Sequence, residues 1–153
     1  MSILFENKDF ILSKSNTNFD KNVIYLPSAG GLTRIGINRT FKSALPRAPK
    51  IDGIYTRFGI NEIVLECKHA NWYQRDSFFK ILKILKSLDP SKTVIYGSSM
   101  GGFGAIHIGL ELGITSIAFS PQATLTKEFG VHYSWYEVGR YARLLNKKYL
   151  VIS

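Results

Sequence analysis

One short stretch of the chain carries the residue types and the spacing of a nucleophilic active site. Gly97, Ser99 and Gly101 form a G-x-S-x-G pattern directly after an apolar run. A serine hydroxyl is a weak nucleophile, and this pattern holds it on a sharp strand-to-helix turn where its oxygen stands clear of the backbone. The N–H groups at the start of the following helix then face incoming negative charge. This arrangement favours attack of Ser99 on an ester carbonyl.

The residues on either side of Ser99 supply the elements that this turn requires. Residues 93–96 form a short, β-branched apolar run after the pair Asp89-Pro90, which predicts a strand. Residues 100–112 predict a helix that ends at Gly113. We therefore predict a nucleophile elbow with Ser99 at its tip.

At these residues the chain resembles the α/β-hydrolase family. More narrowly, residues 97–103 followed by Ser120-Pro121-Gln122 resemble a bacterial branch whose members often accompany surface-polysaccharide or glycoprotein production. The likeness extends over about residues 22–153. It implies a three-layer fold, in which helices cover both faces of a mostly parallel sheet, and it implies Ser99 as the nucleophile.

The resemblance also implies an oxyanion hole. In hydrolases of this fold, one N–H comes from the residue after the nucleophile and another from the loop after an early strand. The candidate donors are therefore Met100 and one of Ser28 or Ala29, which follow the apolar run 23–26. A glycine-rich turn that only reverses the chain is the alternative interpretation of this loop.

Four side chains are candidates for contact with a substrate. Loops at the carboxyl ends of parallel strands line the active site in open α/β sheets. Trp72 and Tyr73 follow the predicted strand 63–67, and Ser120 and Gln122 follow or adjoin the end of strand 114–119. We expect Trp72 and Tyr73 to contact a sugar or an acyl chain, although packing of Trp72 within its loop is the alternative. Ser120 and Gln122 are expected to border the pocket.

The sequence does not show a complete catalytic triad. In this fold an acid and then a histidine follow the serine along the chain. Glu128 and His132 satisfy that order, but their spacing of four residues also fits a surface pair on a helical turn. The acid is expected just past residues 149–152, where the sequence stops, so we expect a hydrolase domain that is incomplete at its C-terminus.

Alternating strands and helices predict one α/β domain over residues 1–153. Residues 1–20 contain two short apolar stretches that suit an edge hairpin. Residues 40–45, 77–88 and 135–146 are the remaining helix candidates. The predicted parallel strands lie near Val23, Ile63, Val94, Ile117 and Leu150.

Composition narrows the function classes. The chain has 153 residues, of which 45% are apolar and 20% charged, as in globular proteins. The net charge of +9 suggests an anionic partner, but Lys80, Lys83 and Lys86 recur along one helix face, and no basic run interleaves with aromatic residues, which argues against nucleic-acid binding.

No apolar run reaches the roughly 20 residues of a membrane span, and no signal peptide is evident, so a cytoplasmic location is expected. Cys67 reads as a buried strand thiol.

The remaining motifs leave a small set of functions. No residues have metal-ligand spacing and no P-loop lysine follows the glycines, so neither a metal nor a cofactor is expected. The preferred function is a serine esterase or deacylase acting on a small-molecule or glycan ester. The alternatives are an acyltransferase to a sugar and an inactive accessory or binding protein. A partner or a second copy of the chain is expected to cover the open edge of the last strand.

Overall fold

A seven-stranded sheet organises the chain. The structure, a computed structural model, describes residues 1–28, 54–68, 73 and 78–121 and the backbone of residues 149–152. The strands, in chain order, are β1 (Ser2–Glu6), β2 (Phe10–Lys14), β3 (Lys21–Leu26), β4 (Ile60–Cys67), β5 (Thr93–Ser98), β6 (Thr115–Phe119) and β7 (Tyr149–Ile152). Their order across the sheet is β1-β2-β4-β3-β5-β6-β7.

The sheet is mostly parallel. Strands β4, β3, β5, β6 and β7 pair in parallel with their neighbours, and each contains one of the predicted apolar runs. Strands β1 and β2 form an antiparallel hairpin, and β2 also pairs with β4 in antiparallel orientation. The predicted α/β fold class is confirmed.

Two α-helices of the described residues pack on one face of this sheet. Helix α1 spans Phe78–Leu85 and helix α2 spans Met100–Leu112, where Gly113 ends it with φ 69° as predicted. Both helices contribute to the same buried cluster, which therefore defines the face that they cover. The predicted helices at 40–45 and 135–146 lie outside the described residues. No helix in the described part of the chain is long and apolar enough to cross a bilayer.

Helix α1 is shorter than the predicted 77–88. The N–H groups of Ser87 and Leu88 donate to the carbonyl oxygens of Ile84 and Leu85, so each spans three residues rather than four. Such bonds tighten the last turn of a helix and end its regular α geometry. The lysines at 80, 83 and 86 do lie on the exposed side, as the pattern predicts.

The buried cluster lies between the sheet and the two helices. Because side chains alternate across a strand, Ile24 and Leu26 of β3 point to the same face as Ile95 of β5. Burying each large apolar side chain contributes about 1.5–3 kcal/mol, so this interior holds the strands that carry the elbow. The largest fully buried apolar side chains are those of Phe10, Leu12, Ile24, Leu26, Ile63, Leu65, Ile81, Leu85, Ile95, Met100 and Ile108.

One polar side chain joins the connection before β3 to the start of β4. Asn61 is only 1% exposed, and its amide nitrogen donates to the Phe19 carbonyl oxygen (2.6 Å) and to Asn22 Oδ1 (3.0 Å). Its Oδ1 accepts from the Phe19 N–H (2.9 Å) and from Thr17 Oγ1 (3.0 Å). All four hydrogen-bonding positions of the amide are thus occupied within the protein.

The single cysteine is part of the interior. Cys67 is 2% exposed at the end of β4, which confirms the predicted buried strand thiol. Burial raises the pKa of the Cys67 thiol to about 12. The thiolate is the reactive form, so this cysteine is inert in the folded protein.

Candidate active site

Ser99 lies between a strand and a helix in an unusual backbone conformation. Strand β5 ends at Ser98, helix α2 begins at Met100, and Ser99 between them has φ 52° and ψ −119°. A positive φ at a non-glycine residue costs on the order of 1–3 kcal/mol and persists only where the surrounding structure enforces it. Ser99 is half-buried and lies at the carboxyl end of the parallel strands, so the predicted strand–turn–helix is present.

The two glycines of the pattern allow this turn to close. A Cβ atom on Gly97 would collide with the carbonyl oxygen of Gly101, and a Cβ atom on Gly101 would collide with that of Leu26. These neighbours are backbone atoms that a rotamer change cannot move away. The small residues two positions before and after Ser99 are therefore a steric requirement of the fold.

Backbone N–H groups surround the tip of the turn. The first hydrogen bond within α2 runs from the Phe103 N–H to the Ser99 carbonyl oxygen (3.0 Å). The N–H groups of Met100, Gly101 and Gly102 precede it and so have no acceptor within the helix. Because the N-terminal end of a helix carries partial positive charge, these N–H groups are suited to hold negative charge. The Met100 side chain itself is buried, so it is the backbone N–H of this residue that is the candidate donor.

A carbonyl group on the neighbouring strand holds Ser99 in place. The Ser99 N–H donates to the Phe119 carbonyl oxygen at the end of β6 (3.0 Å). The sequence motif gives no sign of this partner, because it depends on β6 lying next to β5 in the sheet. Phe119 is therefore a backbone contributor to the site that motif reading misses.

The candidate oxyanion loop lies beside the elbow. Strands β3 and β5 are neighbours with Leu26 opposite Gly97, so Pro27 and Ser28 leave the sheet next to the turn. A Cβ atom on Gly101 would lie 2.8 Å from the Pro27 carbonyl oxygen, which places this peptide against the first turn of α2. Ser28 is half-buried, and Ala29 lies outside the described residues.

Tyr73 has a different position from the one expected. Its side chain is 2% exposed, and its hydroxyl donates to the Pro27 carbonyl oxygen (3.0 Å) and lies 3.4 Å from the Leu65 carbonyl oxygen. The residue therefore packs beneath the oxyanion loop, and its burial gives no support to the expected contact with a sugar or an acyl chain. Trp72, the other aromatic candidate of this loop, lies outside the described residues.

Ser120 lies at the same edge of the sheet as the elbow. Ser120 follows Phe119, which lies opposite Ser98 in the sheet. Ser120 is exposed and has φ 43°. The structure therefore brings Ser120 close to the turn that carries Ser99, and its contact with a substrate stays a prediction. Gln122 lies outside the described residues.

A general base for Ser99 is not found in the described part of the chain. Glu128 and His132 lie outside it, and of the three histidines His107 alone lies within it. The His107 ring packs on Phe103 (4.2 Å between ring centroids), and burial lowers the pKa of its imidazole to about 4. It follows Ser99 by eight residues, or about 12 Å along the helix axis, and so acts as a packed helix residue.

Solved structures share this fold. The Glycosylation Associate Protein (Gap123) complex from Streptococcus agalactiae matches with a TM-score of 0.53 and 13% identity, covering 90% of this chain and 27% of that one. S-formylglutathione hydrolase (FrmB) from Staphylococcus aureus matches with a TM-score of 0.53 and 12% identity, covering 93% and 72%. The capsule O-acetyltransferase of Neisseria meningitidis serogroup A matches with a TM-score of 0.50 and 15% identity, covering 95% and 64%.

These matches show the fold, and they confirm the predicted resemblance to α/β-hydrolases. This chain spans about a quarter of the Gap123 chain and just under two thirds of the capsule O-acetyltransferase. No curated protein sequence matches it. The sequence model of one family matches residues 41–134, which is more than half of the chain, and the chain therefore belongs to the uncharacterised protein family UPF0227.

Proposed function

We propose that this chain is a serine-nucleophile hydrolase that acts on an ester, as an esterase or a deacylase. The observation that carries the proposal is the backbone of Ser99, with φ 52° at the carboxyl edge of the sheet and at the start of α2. That conformation is uncommon outside glycine, and here it holds a half-buried serine at the N-terminus of a helix. Esters of glycans are among the proposed substrates.

The proposed reaction has two steps. Ser99 Oγ attacks the ester carbonyl carbon and loses its proton to a base, and the oxyanion that forms is held by the Met100 N–H and an N–H of the Ser28–Ala29 loop. The C–O bond to the alcohol then breaks and the alcohol leaves with that proton. In the second step water adds to the acyl carbon and gives a proton to the same base. The bond between that carbon and Ser99 Oγ then breaks, the acid is released, and Ser99 Oγ takes the proton back. His132, oriented by Glu128, is the proposed base.

Labelling with a fluorophosphonate tests whether Ser99 is activated. We expect the native protein to be labelled covalently and Ser99→Ala to be unlabelled. Ser98→Ala is the matched control, because Ser98 is an exposed serine one residue before the nucleophile. We expect it to be labelled like the native protein. Equal labelling of the native protein and Ser99→Ala, or labelling of neither, would contradict the proposal.

Transfer of the acyl group to a sugar is the second candidate function. One structural neighbour is a capsule O-acetyltransferase, and the half-buried position of Ser99 leaves an acyl-serine within reach of either water or a sugar hydroxyl. The two reactions separate when an activated acetyl ester is supplied with and without an oligosaccharide. Acetylated oligosaccharide in the mass spectrum supports transfer, free acetate alone supports hydrolysis, and binding without turnover supports an accessory protein.

The proposal also covers the assembly and the location of the protein. One structural neighbour is described as a complex, which supports association of this chain with a partner or with a second copy. We place that contact along the outer edge of β7 and the protein in the cytoplasm. Light scattering of the purified chain measures its assembly state, and a strictly monomeric chain would contradict self-association.

A further inference from the structure

The peptide group between Pro27 and Ser28 is held from the interior of the protein. The Tyr73 hydroxyl donates to the Pro27 carbonyl oxygen (3.0 Å), and both groups are buried. The same hydroxyl lies 3.4 Å from the Leu65 carbonyl oxygen at the end of β4. One side chain thus connects the carboxyl ends of two neighbouring parallel strands.

This hydrogen bond determines which way the peptide faces. In a trans peptide the C=O and the following N–H point in opposite directions, and the described part of the chain contains no cis peptide. Because the Pro27 carbonyl points at the buried hydroxyl, the Ser28 N–H points away from it. A hydrogen bond accepted by the carbonyl also polarises the peptide and strengthens its N–H as a donor.

Tyr73 also contacts the helix that carries the other donor. A Cβ atom on Gly104 would lie 2.5 Å from Tyr73 Cδ2, so the tyrosine ring lies on the backbone of α2 about one turn after Met100. On its other side the ring stacks with Phe10 of β2, with the centroids 6.3 Å apart and the planes at 20°. Tyr73 has φ 60°, which this packing maintains. The side chain is therefore fixed against both the loop and the helix.

We infer that Tyr73 is a positioning residue for the oxyanion hole, because its hydroxyl orients the 27–28 peptide so that the Ser28 N–H is the second donor beside the Met100 N–H. The inference rests on the proposed function of Ser99. The loop sequence leaves the second donor open between the N–H groups of Ser28 and Ala29, and the inference assigns it to Ser28. Tyr73 acts through this peptide and does not touch the substrate.

Tyr73→Phe tests the inference because it keeps the ring and removes only the hydroxyl. With p-nitrophenyl acetate we expect kcat to fall by about tenfold to a hundredfold, which is less than the hundredfold to thousandfold loss when an oxyanion donor is removed outright. KM should stay the same, because the oxyanion exists only after attack. The rate of fluorophosphonate labelling should fall by a similar factor.

The matched control is Tyr55→Phe. It removes another tyrosine hydroxyl, one that donates to Tyr96 Oη (2.9 Å) on the sheet face opposite to the helices. This control should retain the native kcat and KM. Equal kcat values for the two variants, or a change in KM alone for Tyr73→Phe, would overturn the inference.

An NMR measurement tests the positioning without any need for turnover. The backbone ¹⁵N shift of Ser28 senses the hydrogen bond accepted by the Pro27 carbonyl, so it should move in Tyr73→Phe and stay in place in Tyr55→Phe. An unmoved Ser28 resonance overturns the inference whatever the activity. A native protein without Ser99-dependent labelling refutes the proposed function instead, so the two failures are distinguishable.

A second variant covers the case in which Tyr73→Phe does not fold. Tyr73→4-aminophenylalanine keeps a donor at the para position of the ring. We expect it to fold, to restore the native Ser28 shift and to recover most of kcat. A folded variant with the native Ser28 shift but the low kcat would contradict the positioning role.

Discussion

Replacing Gly101 by alanine is expected to force the elbow helix away from the end of β3. A Cβ atom at this position would overlap the Leu26 carbonyl oxygen and lie 2.8 Å from the Pro27 carbonyl oxygen. Both obstacles are backbone atoms of a buried strand end, so the strand or the helix must shift to accommodate a methyl group. The perturbation thus tests the packing that positions Ser99.

The expected magnitude follows from two opposing contributions. An alanine within a helix is favoured over glycine by about 1 kcal/mol. Overpacking of a close contact costs about 1–3 kcal/mol and occasionally more, and a clash with immobile backbone belongs at the upper end of that range. We therefore expect Gly101→Ala to lower the free energy of unfolding by about 2 kcal/mol or more.

The neighbouring glycine supplies the control. A Cβ atom on Gly102 would lie 3.2 Å from the carbonyl oxygens of Gly97 and Phe119, which small adjustments relieve. Gly102→Ala should therefore change stability by less than about 1 kcal/mol. Urea unfolding followed by circular dichroism measures both variants, and with a slope of about 2 kcal/mol/M the midpoint of Gly101→Ala should fall by about 1 M. Equal midpoints for the two variants would refute this account of the elbow.

Two further changes test the surrounding structure. Asn61→Ala should lower the free energy of unfolding by about 1–3 kcal/mol, because it removes a 1% exposed amide that makes four hydrogen bonds. Asn16→Ala at an exposed hydrogen bond should cost less than about 0.5 kcal/mol, and similar urea midpoints for the two variants would contradict this. His107 stays neutral in the folded protein because burial lowers the pKa of its imidazole to about 4 from an ordinary 6.5. Protonation therefore favours the unfolded state, and the free energy of unfolding should fall by up to about 3 kcal/mol as the pH falls from 6.5 towards 4. Above pH 6.5 this group should not change the stability. His107→Gln should lose less stability over that interval, and unfolding curves that depend equally on pH in the two proteins would argue against it.

The parallel strands were predictable because each contains a continuous apolar run. A strand covered on both faces needs such a run, and residues 23–26 and 63–65 are two examples. The elbow was predictable for a steric reason, since Gly97 and Gly101 occupy places where any side chain would collide with backbone. Both features leave a clear signal within a short stretch of sequence.

The environment of the site was not predictable in the same way. Tyr73 follows a strand in a polar stretch of sequence, and that pattern is typical of a substrate contact, but its burial depends on the packing of its ring against α2. The Phe119 carbonyl carries no side-chain signal at all, because its role follows from the order of the strands. The end of α1 at Leu85 likewise depends on a few backbone hydrogen bonds.

The buried thiol of Cys67 makes the chain convenient for site-directed chemistry. It is the single cysteine of the sequence, and its 2% exposure and a pKa of about 12 keep it out of reach of alkylating reagents. A cysteine placed anywhere on the surface would then be the sole fast-reacting group. Fluorophores, spin labels or crosslinkers can therefore be attached next to the elbow of the otherwise native protein, without first removing a background thiol.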